Sequence, residues 1–464
     1  MNRKTISIAR RTVLTAMTAA MLLTSAGCGP APRTASPEEL EAANRNAARN
    51  EMLIGCWIPP RPHQVLTQED ADAQIAKLAA SGINCFTTHH GEMDDIGYLT
   101  RLANAAEKCG IKMMIELGTD LSENGGMAHN LDIVRQTMDL PALLGYNLFD
   151  EPTAGYAAAL TEEFRQIHEL TGGTKLLMIN MLPTYGPADI MAPVTRSGLS
   201  WYRTYLANFL DTGTDALSFD FYPYSGNPAG DAGALRSMLV NLSDMAVMAK
   251  KYRSVPTWGF LQDSGWSGMR IPERDELRLI SHLHLIFGLE SYSYFLYAEI
   301  SDDGGMLGML NWDGETTKIY DRVKANNEHI AGMGYRFLSY SLKGLLTDNM
   351  RKEDTEAIDS ALRLKSDINL RKVTSDCNTL VGVFTGRSAA DNAARGYAQD
   401  PAKFGYYVLN YDLFNDDNVT LTFKQNTPYT VWGPDGIEAM GVAQTVTLQI
   451  EPGDARFVEL KTFD

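Results

Sequence analysis

Residues 52–82 read MLIGCWIPPRPHQVLTQEDADAQIAKLAASG and contain one complete strand-and-helix unit. Met52 to Trp57 is an apolar run of strand length. Thr67-Gln-Glu-Asp70 is a capping box that opens the helical pattern Ala71 to Ala80, and Gly82 closes it. The same grammar recurs through the next 260 or so residues. Strand-like runs at Ile83–Thr88, Ile111–Leu117 and Leu144–Phe149 precede helical patterns at Leu99–Lys108, Ala128–Met138 and Ala157–Leu170. Runs at Lys175–Met181, Ala216–Tyr222, Pro256–Gln262 and Ser291–Ala298 precede helices at Trp201–Leu210, Ala232–Tyr252, Glu273–Phe287 and Thr317–Leu338. Eight near-continuous apolar strands, each with its helix, predict a parallel sheet buried on both faces, and eight is the number that closes a barrel. The expected fold is α/β, a (β/α)8 TIM barrel over residues 51–341.

The period then changes. Leu380–Phe384, Tyr406–Leu409, Val419–Phe423, Tyr429–Trp432, Thr445–Ile450 and Phe457–Leu460 are short runs separated by turn signals such as Gly433-Pro-Asp-Gly436. They predict a C-terminal antiparallel β-sandwich within residues 342–464. The charged stretch 340–375 serves as the connection and first strand.

Residues 1–27 form an address. Arg3, Lys4, Arg10 and Arg11 precede the apolar run Val13–Leu23, which is too short to span a bilayer and reads as an export signal peptide. Ser25-Ala-Gly-Cys28 resembles a bacterial lipobox, with Ser25 where Leu is usual; that resemblance implies lipidation of Cys28 and a lipid anchor on the cell-envelope side of a bacterial membrane. Arg10-Arg11-Thr-Val-Leu also resembles a twin-arginine signal. A plain secretory signal cleaved elsewhere is the alternative. Residues 28–50, rich in Pro, Ser and Ala, are expected to be a flexible tether, with the folded part starting near Glu51.

Composition limits the function classes. The 464 residues carry 41 Lys+Arg against 57 Asp+Glu, and 44% are hydrophobic, so the chain is globular and acidic. Removing the four basic residues of the leader leaves 37 basic against 57 acidic, a charge near −20. No basic stripe with interleaved aromatics is present, which argues against nucleic acid as a partner. Cys56, Cys85, Cys109 and Cys377 show no ligand spacing, so neither a metal nor any other cofactor is expected. Cys56 and Cys85, on consecutive strands, either pair or stay as buried thiols. Oligomeric state is left open.

In such a barrel the chemistry belongs at the C-terminal ends of the strands. Those ends carry Trp57, His89, His90, Glu116, Asp150, Glu151, Asn180, Asp220, Tyr222, Trp258, Gln262, Asp263, Tyr297 and Glu299. Acids, amides, histidines and aromatics in one mouth suit a site that stacks sugar rings and hydrogen-bonds hydroxyls. Trp266 and Tyr224 are further candidates for stacking platforms. Only one of His89 and His90 is expected to face the mouth, since adjacent strand residues point to opposite faces. For each residue, capping or core packing is the alternative role. Leu148-Phe-Asp-Glu-Pro152 is the most informative stretch, because two acids ending a buried strand pay desolvation, which raises a carboxyl pKa as a general acid requires. Asp150 is either a cap, a partner that orients Glu151, or part of the site.

These motifs, with Asp220-Phe-Tyr-Pro223, Pro256-Thr-Trp258, Gln262 and the run Tyr294-Phe-Leu-Tyr297, resemble bacterial barrel glycoside hydrolases. The nearest are the family 42 β-galactosidase type and related members of its clan. The tail Leu448–Leu460 is similar to the small β domain that follows such barrels. The resemblance implies a carbohydrate substrate, with Glu151 as acid/base, although the residue before it is usually Asn and here is Asp150.

One departure matters more. The clan's nucleophile is a Glu ending the seventh strand, where this chain has Gln262 followed by Asp263. Three repairs are open: Asp263 as nucleophile, Asp220 or Glu299 as base for water, or participation by the substrate's own group. Asp220 is favoured as the second carboxylate. The expected function is a glycosidase acting on a poly- or oligosaccharide; the alternative is a glycan-binding lipoprotein that kept the barrel and lost the nucleophile.

Overall fold

The computed structural model describes residues 30–121, 126–252, 255–303 and 305–461. The expected signal peptide and Cys28 lie outside the described residues.

Eight parallel strands form the barrel: β1 (Ile54–Cys56), β2 (Cys85–Thr87), β3 (Lys112–Glu116), β4 (Leu143–Asp150), β5 (Leu176–Met181), β6 (Ala216–Asp220), β7 (Thr257–Gln262) and β8 (Ser291–Phe295). The sheet runs β1-β8-β7-β6-β5-β4-β3-β2, and a parallel bridge from Trp57 to Thr87 closes it. The helices are α1 (Gln68–Ala80), α2 (Ile96–Cys109), α3 (Gly126–Thr137), α4 (Ala157–Thr171), α5 (Trp201–Leu210), α6 (Asp231–Lys251), α7 (Arg274–Ile286) and α8 (Lys318–Gly332). The predicted capping box is present, with Thr67 accepting from the Asp70 N–H and Asp70 accepting from the Thr67 N–H. Gly145 lets β4 lie against β5, because a Cβ there would meet the Leu176 carbonyl oxygen at 1.8 Å. The lower interior is filled by Cys85, Met114, Met178, Ala216 and Trp258, one from each of five strands. Cys56 and Cys85 are buried free thiols.

The C-terminal domain is an antiparallel sheet built from β9 (Tyr340–Asp348), β10 (Leu370–Thr374), β11 (Thr379–Gly386), β12 (Phe404–Asn410), β13 (Asp417–Gly433), β14 (Gly436–Ile450) and β15 (Ala455–Glu459). The runs at 419–423 and 429–432 are two halves of one bent strand rather than two strands. The register slips between Thr422 and Thr427, so β13 pairs with β10 through its first half and with β15 through its second. Both halves face a common core that includes Val419, Leu421, Tyr429 and Val431.

The stretch expected as a tether is structured in its described part. Arg33–Thr34 pairs with Gly441–Val442 of β14, and Pro37–Asn46 is a helix. Its cause is local: Ser36 and Glu39 form a capping box and Pro37 occupies the first turn, where its missing N–H costs nothing. Asn44 then exchanges two hydrogen bonds with the Ile437 backbone, at 2.9 and 2.7 Å.

A buried ion pair joins the end of the barrel to the β domain. Glu459 on β15 accepts from Arg336 Nε and Nη2 at 3.2 and 3.0 Å, from Tyr340 Oη at 2.5 Å and from Trp432 Nε1 at 2.8 Å. Removing one partner strands a charge in the interior, a loss of about 3–5 kcal/mol. Arg336→Met is therefore expected to lower unfolding stability by that amount in urea titration.

Candidate active site

A cavity of about 350 Å³ opens at the C-terminal ends of the barrel strands. Its lining divides by strand. One half, from β3 to β6, is polar: Glu116, Asn147, Asp150, Glu151, Asn180 and Asp220. The other half, from the end of β6 through β7 and β8 to β1, is aromatic: Tyr222, Phe260, Trp266, Phe295 and Trp57. Trp57 stacks on Phe295, with centroids 5.3 Å apart and planes at 19°, while Trp266 stands edge-on to Phe295 and to Tyr222, each at 5.2 Å. A two-stranded ribbon, Gly265–Trp266 against Met306–Leu307, carries Trp266.

Local backbone irregularity puts two adjacent acids in the same cavity. On β4 and β5, Asn147 faces Met178 but Asp150 faces Asn180, so three steps on one strand match two on the other. This bulge re-aims Asp150 toward Asn180. Glu151 follows in the left-handed region at φ 53°, with its N–H bonded to the Asn180 carbonyl at 2.9 Å. A non-glycine residue there is strained, and such strain concentrates at functional sites. Asn180 Nδ2 donates to Asp150 Oδ1 at 2.9 Å and to Asp220 Oδ1 at 3.2 Å, while Ser218 Oγ donates to Asn180 Oδ1 at 2.9 Å and fixes which way the amide points.

The electrostatics are those of acids short of partners. Burial pushes Asp150 up to about 7, and the Glu116 and Glu151 charges add to the rise. Burial also raises Glu151, against a hydrogen bond with Asp220 that pulls it down. Asp220 is also raised, by burial and then by Glu151 and Asp150. No lysine or arginine lines this cavity among the described residues. Elsewhere the buried Asp354 is matched by Arg236 and Arg351, and the half-buried Glu290 by Arg387 and Arg395. Asn147 Oδ1, buried in the lining, also lacks a donor. Glu116 is engaged, accepting from Trp57 Nε1 and pairing with His90 Nδ1, each at 2.7 Å. That bond raises the His90 pKa, whereas burial lowers that of His89.

Trp57, Glu116, Asp150, Glu151, Asn180, Asp220 and Tyr222 thus meet in one cavity, and other expected mouth residues do not. Trp258 lies one layer down in the barrel floor, two residues below Phe260, which takes the mouth position. Gln262 is a frame residue: its Oε1 accepts from the Tyr224 N–H at 2.8 Å and its Nε2 donates to the Tyr224 and Arg270 carbonyls at 2.9 and 2.8 Å. Asp263 is buried outside the cavity without a hydrogen-bond partner and feels Cys56 and Tyr294, which excludes it as a reaching nucleophile in this geometry. Tyr297 is wholly buried off the cavity. Glu299 accepts from the Trp312 N–H at 3.1 Å, also off the cavity. Tyr224 is held below Arg270, its hydroxyl on the Glu276 carbonyl.

The strand-parity argument for the histidines fails because β2 ends at Thr87. His89 and His90 enter a 3-10 turn instead, their rings 4.2 Å apart, with His89 against Trp57 and His90 on Glu116. The sequence reading passed over Asn147, Tyr185, Phe260 and Phe295. Tyr185 lines the cavity from a loop with no periodic signal.

No protein-family model matches the chain, and no curated protein matches it in sequence. Among solved structures it is similar to a β-galactosidase from Bacillus circulans sp. alkalophilus, with a TM-score of 0.56 and 7% identity over 90% of this chain and 100% of that one. It is also similar to a glycoside hydrolase family 5 protein from Bacteroides vulgatus ATCC 8482, with a TM-score of 0.52 and 11% identity over 88% of each chain. At these identities the likeness shows the fold, a TIM barrel shared with glycoside hydrolases.

The raised pKa of Asp150 has a stability consequence. Between the ordinary carboxylate value near 4 and about 7, the folded chain keeps a proton that the unfolded chain has released. The stabilisation from that proton is complete at low pH and is lost as pH rises through about 7. Asp150→Asn is expected to melt above the parent at pH 8, with the gap closing toward pH 4 in a series of thermal melts.

Proposed function

We propose that this chain is a glycoside hydrolase cleaving O-glycosidic bonds of a poly- or oligosaccharide, with Glu151 as general acid/base and Asp220 as the second carboxylate. The observation that carries this reading is the convergence of Asp150, Glu151 and Asp220, without a cation, on a cavity with an aromatic wall. Burial raises the pKa of each of these carboxyls, the direction a general acid needs. A sugar ring stacks on the Trp57, Phe295 and Trp266 side, and its hydroxyls donate to acceptors on the β3–β6 side. As the bond to the leaving group breaks, Glu151 delivers its proton. Asp220, in its carboxylate form, takes a proton from the water that attacks the oxocarbenium-like centre, so that a new C–O bond replaces the one broken. The family 42 type serves as a template, with Asp150 replacing the usual Asn and the strand-7 carboxylate missing. Acceptors without a cation select neutral or cationic sugars over uronates.

The second reading, a glycan-binding protein without turnover, rests on Gln262, which is held by backbone and offers no nucleophile. Sugar release from a broad glycan panel separates the two. Glu151→Gln is expected to slow release by about 10²- to 10⁴-fold while leaving glycan binding nearly unchanged, and uronides are expected to be poor substrates. Binding by both proteins without release by either rejects the hydrolase.

Localisation is part of the proposal: export, transfer of a diacylglyceryl group to the Cys28 thiol and cleavage before Cys28, giving a lipid-anchored envelope protein. Cys28→Ser is expected to shift the protein from the membrane to the soluble fraction and to abolish labelling by a fatty-acid analogue in the bacterial host.

A further inference from the structure

The seam between barrel and β domain gathers three side chains that sequence spacing does not connect. His282 stands on α7, His329 on α8, and Asp454 in the turn that enters β15. Their ligand atoms lie within 4.8 Å of one another. His329 Nε2 is 2.7 Å from Asp454 Oδ1. His282 Nε2 is 3.3 Å from the same oxygen, in poor alignment, and has no hydrogen-bond partner although the ring is fully buried. An unpartnered imidazole nitrogen aimed at a carboxylate and a second imidazole is the feature that hydrogen bonding alone leaves unexplained.

Two imidazole nitrogens and one carboxylate oxygen are a donor set for a borderline divalent cation. We propose that this seam is a metal site, taking a zinc-type ion through His282 Nε2, His329 Nε2 and Asp454 Oδ1 with water in the fourth position. Bonds of about 2.0–2.1 Å in a tetrahedron set donor atoms about 3.3 Å apart. His282 already stands at that distance from Asp454, and His329 needs to retreat by a few tenths of an ångström. The outer partners are in place: Tyr407 Oη is 2.7 Å from His282 Nδ1, and Arg456 Nη1 donates to Asp454 Oδ2 at 2.7 Å. Asp454 Oδ1 also accepts from the Ala455 N–H at 2.8 Å, which holds the carboxylate in position. His329 is partly exposed, giving the ion and its water a way in. The ion ties two barrel helices to the last turn of the β domain, a structural role that does not depend on the chemistry of the cavity.

The test uses the purified full-length protein after chelation. Titration with Co²⁺ is expected to give visible absorption bands of a low-coordinate site that saturate at one equivalent, and Zn²⁺ is expected to displace them and raise Tm. His329→Ala, at a partly exposed position, is expected to lose both responses. Tyr407→Phe is expected to keep them with about 10- to 100-fold weaker affinity. Absence of both the bands and the Tm rise in the parent overturns the proposal, and so does a parent-like response in His329→Ala, which assigns the metal to other residues. Neither outcome bears on sugar release.

Discussion

One amide serves two carboxyls. Asn180 donates to both Asp150 and Asp220, Glu151 bonds to the Asn180 carbonyl through its own N–H, and among the described residues no lysine or arginine lines the cavity beside them. Buried acids normally demand an ion-pair partner or lose their charge. Here burial raises the pKa of all three acids, and the surrounding structure enforces that burial. The bulge in β4 brings Asp150 into register with Asn180, the left-handed backbone at Glu151 turns the next acid into the same space, and Ser218 holds the amide in the orientation both need. The left-handed backbone at Glu151 costs stability locally, and the closed barrel lies below it, with its floor of Cys85, Met114, Met178, Ala216 and Trp258.

The β domain contributes to that rigidity from outside. Residues Leu277 to Ile286 of α7 are buried without a break, which no amphipathic surface helix allows. The cover on its outer side includes the β domain: His282 meets Tyr407, and Arg278 donates to the Pro452 carbonyl at 2.6 Å. Gly453 permits this approach, since a Cβ there would stand 2.6 Å from the Asp275 carbonyl oxygen. Helix α7 packs on β7, whose end carries Gln262 and the loop to Trp266. The second domain therefore buttresses the aromatic half of the cavity through one helix.

The barrel was legible because its signal is periodic and repeated, and the eight strand runs lie where the eight strands form. What failed were inferences about direction. Trp258, Gln262, Asp263 and Tyr297 sit near strand ends, but parity and height decide whether a side chain enters the mouth, the floor or the outer core, and a run of apolar residues buried on both faces carries no parity signal. The bulge in β4 adds a shift that no count of residues reveals. The N-terminal segment was misjudged for another reason: Pro, Ser and Ala suggested a tether, while Ser36-Pro-Glu-Glu39 already held the capping box that starts a helix. The bent strand β13 spans two apolar runs, 419–423 and 429–432, and the register slip between Thr422 and Thr427 that joins them has no counterpart in a pattern of apolar runs.

The strand-7 position explains the arrangement of charge. Gln262 spends its whole amide on the backbone of Tyr224 and Arg270, fastening the loops after β6 and β7 and with them Tyr222 and Trp266. A carboxylate at that position would lose the donated half of this bonding and would set a charge into the aromatic wall. With strand 7 given to the frame, negative charge has to come from the other side of the barrel, and β3, β4 and β6 supply it. The acids then stand beside one another, and burial raises their pKa values, with the neighbouring charges adding to the rise at Asp150 and Asp220. In the glycosidase reading, a ring lying on the aromatic wall presents one edge to all the carboxyls, so proton delivery and charge stabilisation come from the same side. That distinguishes this cavity from a barrel whose two carboxylates face each other across the bond they cleave.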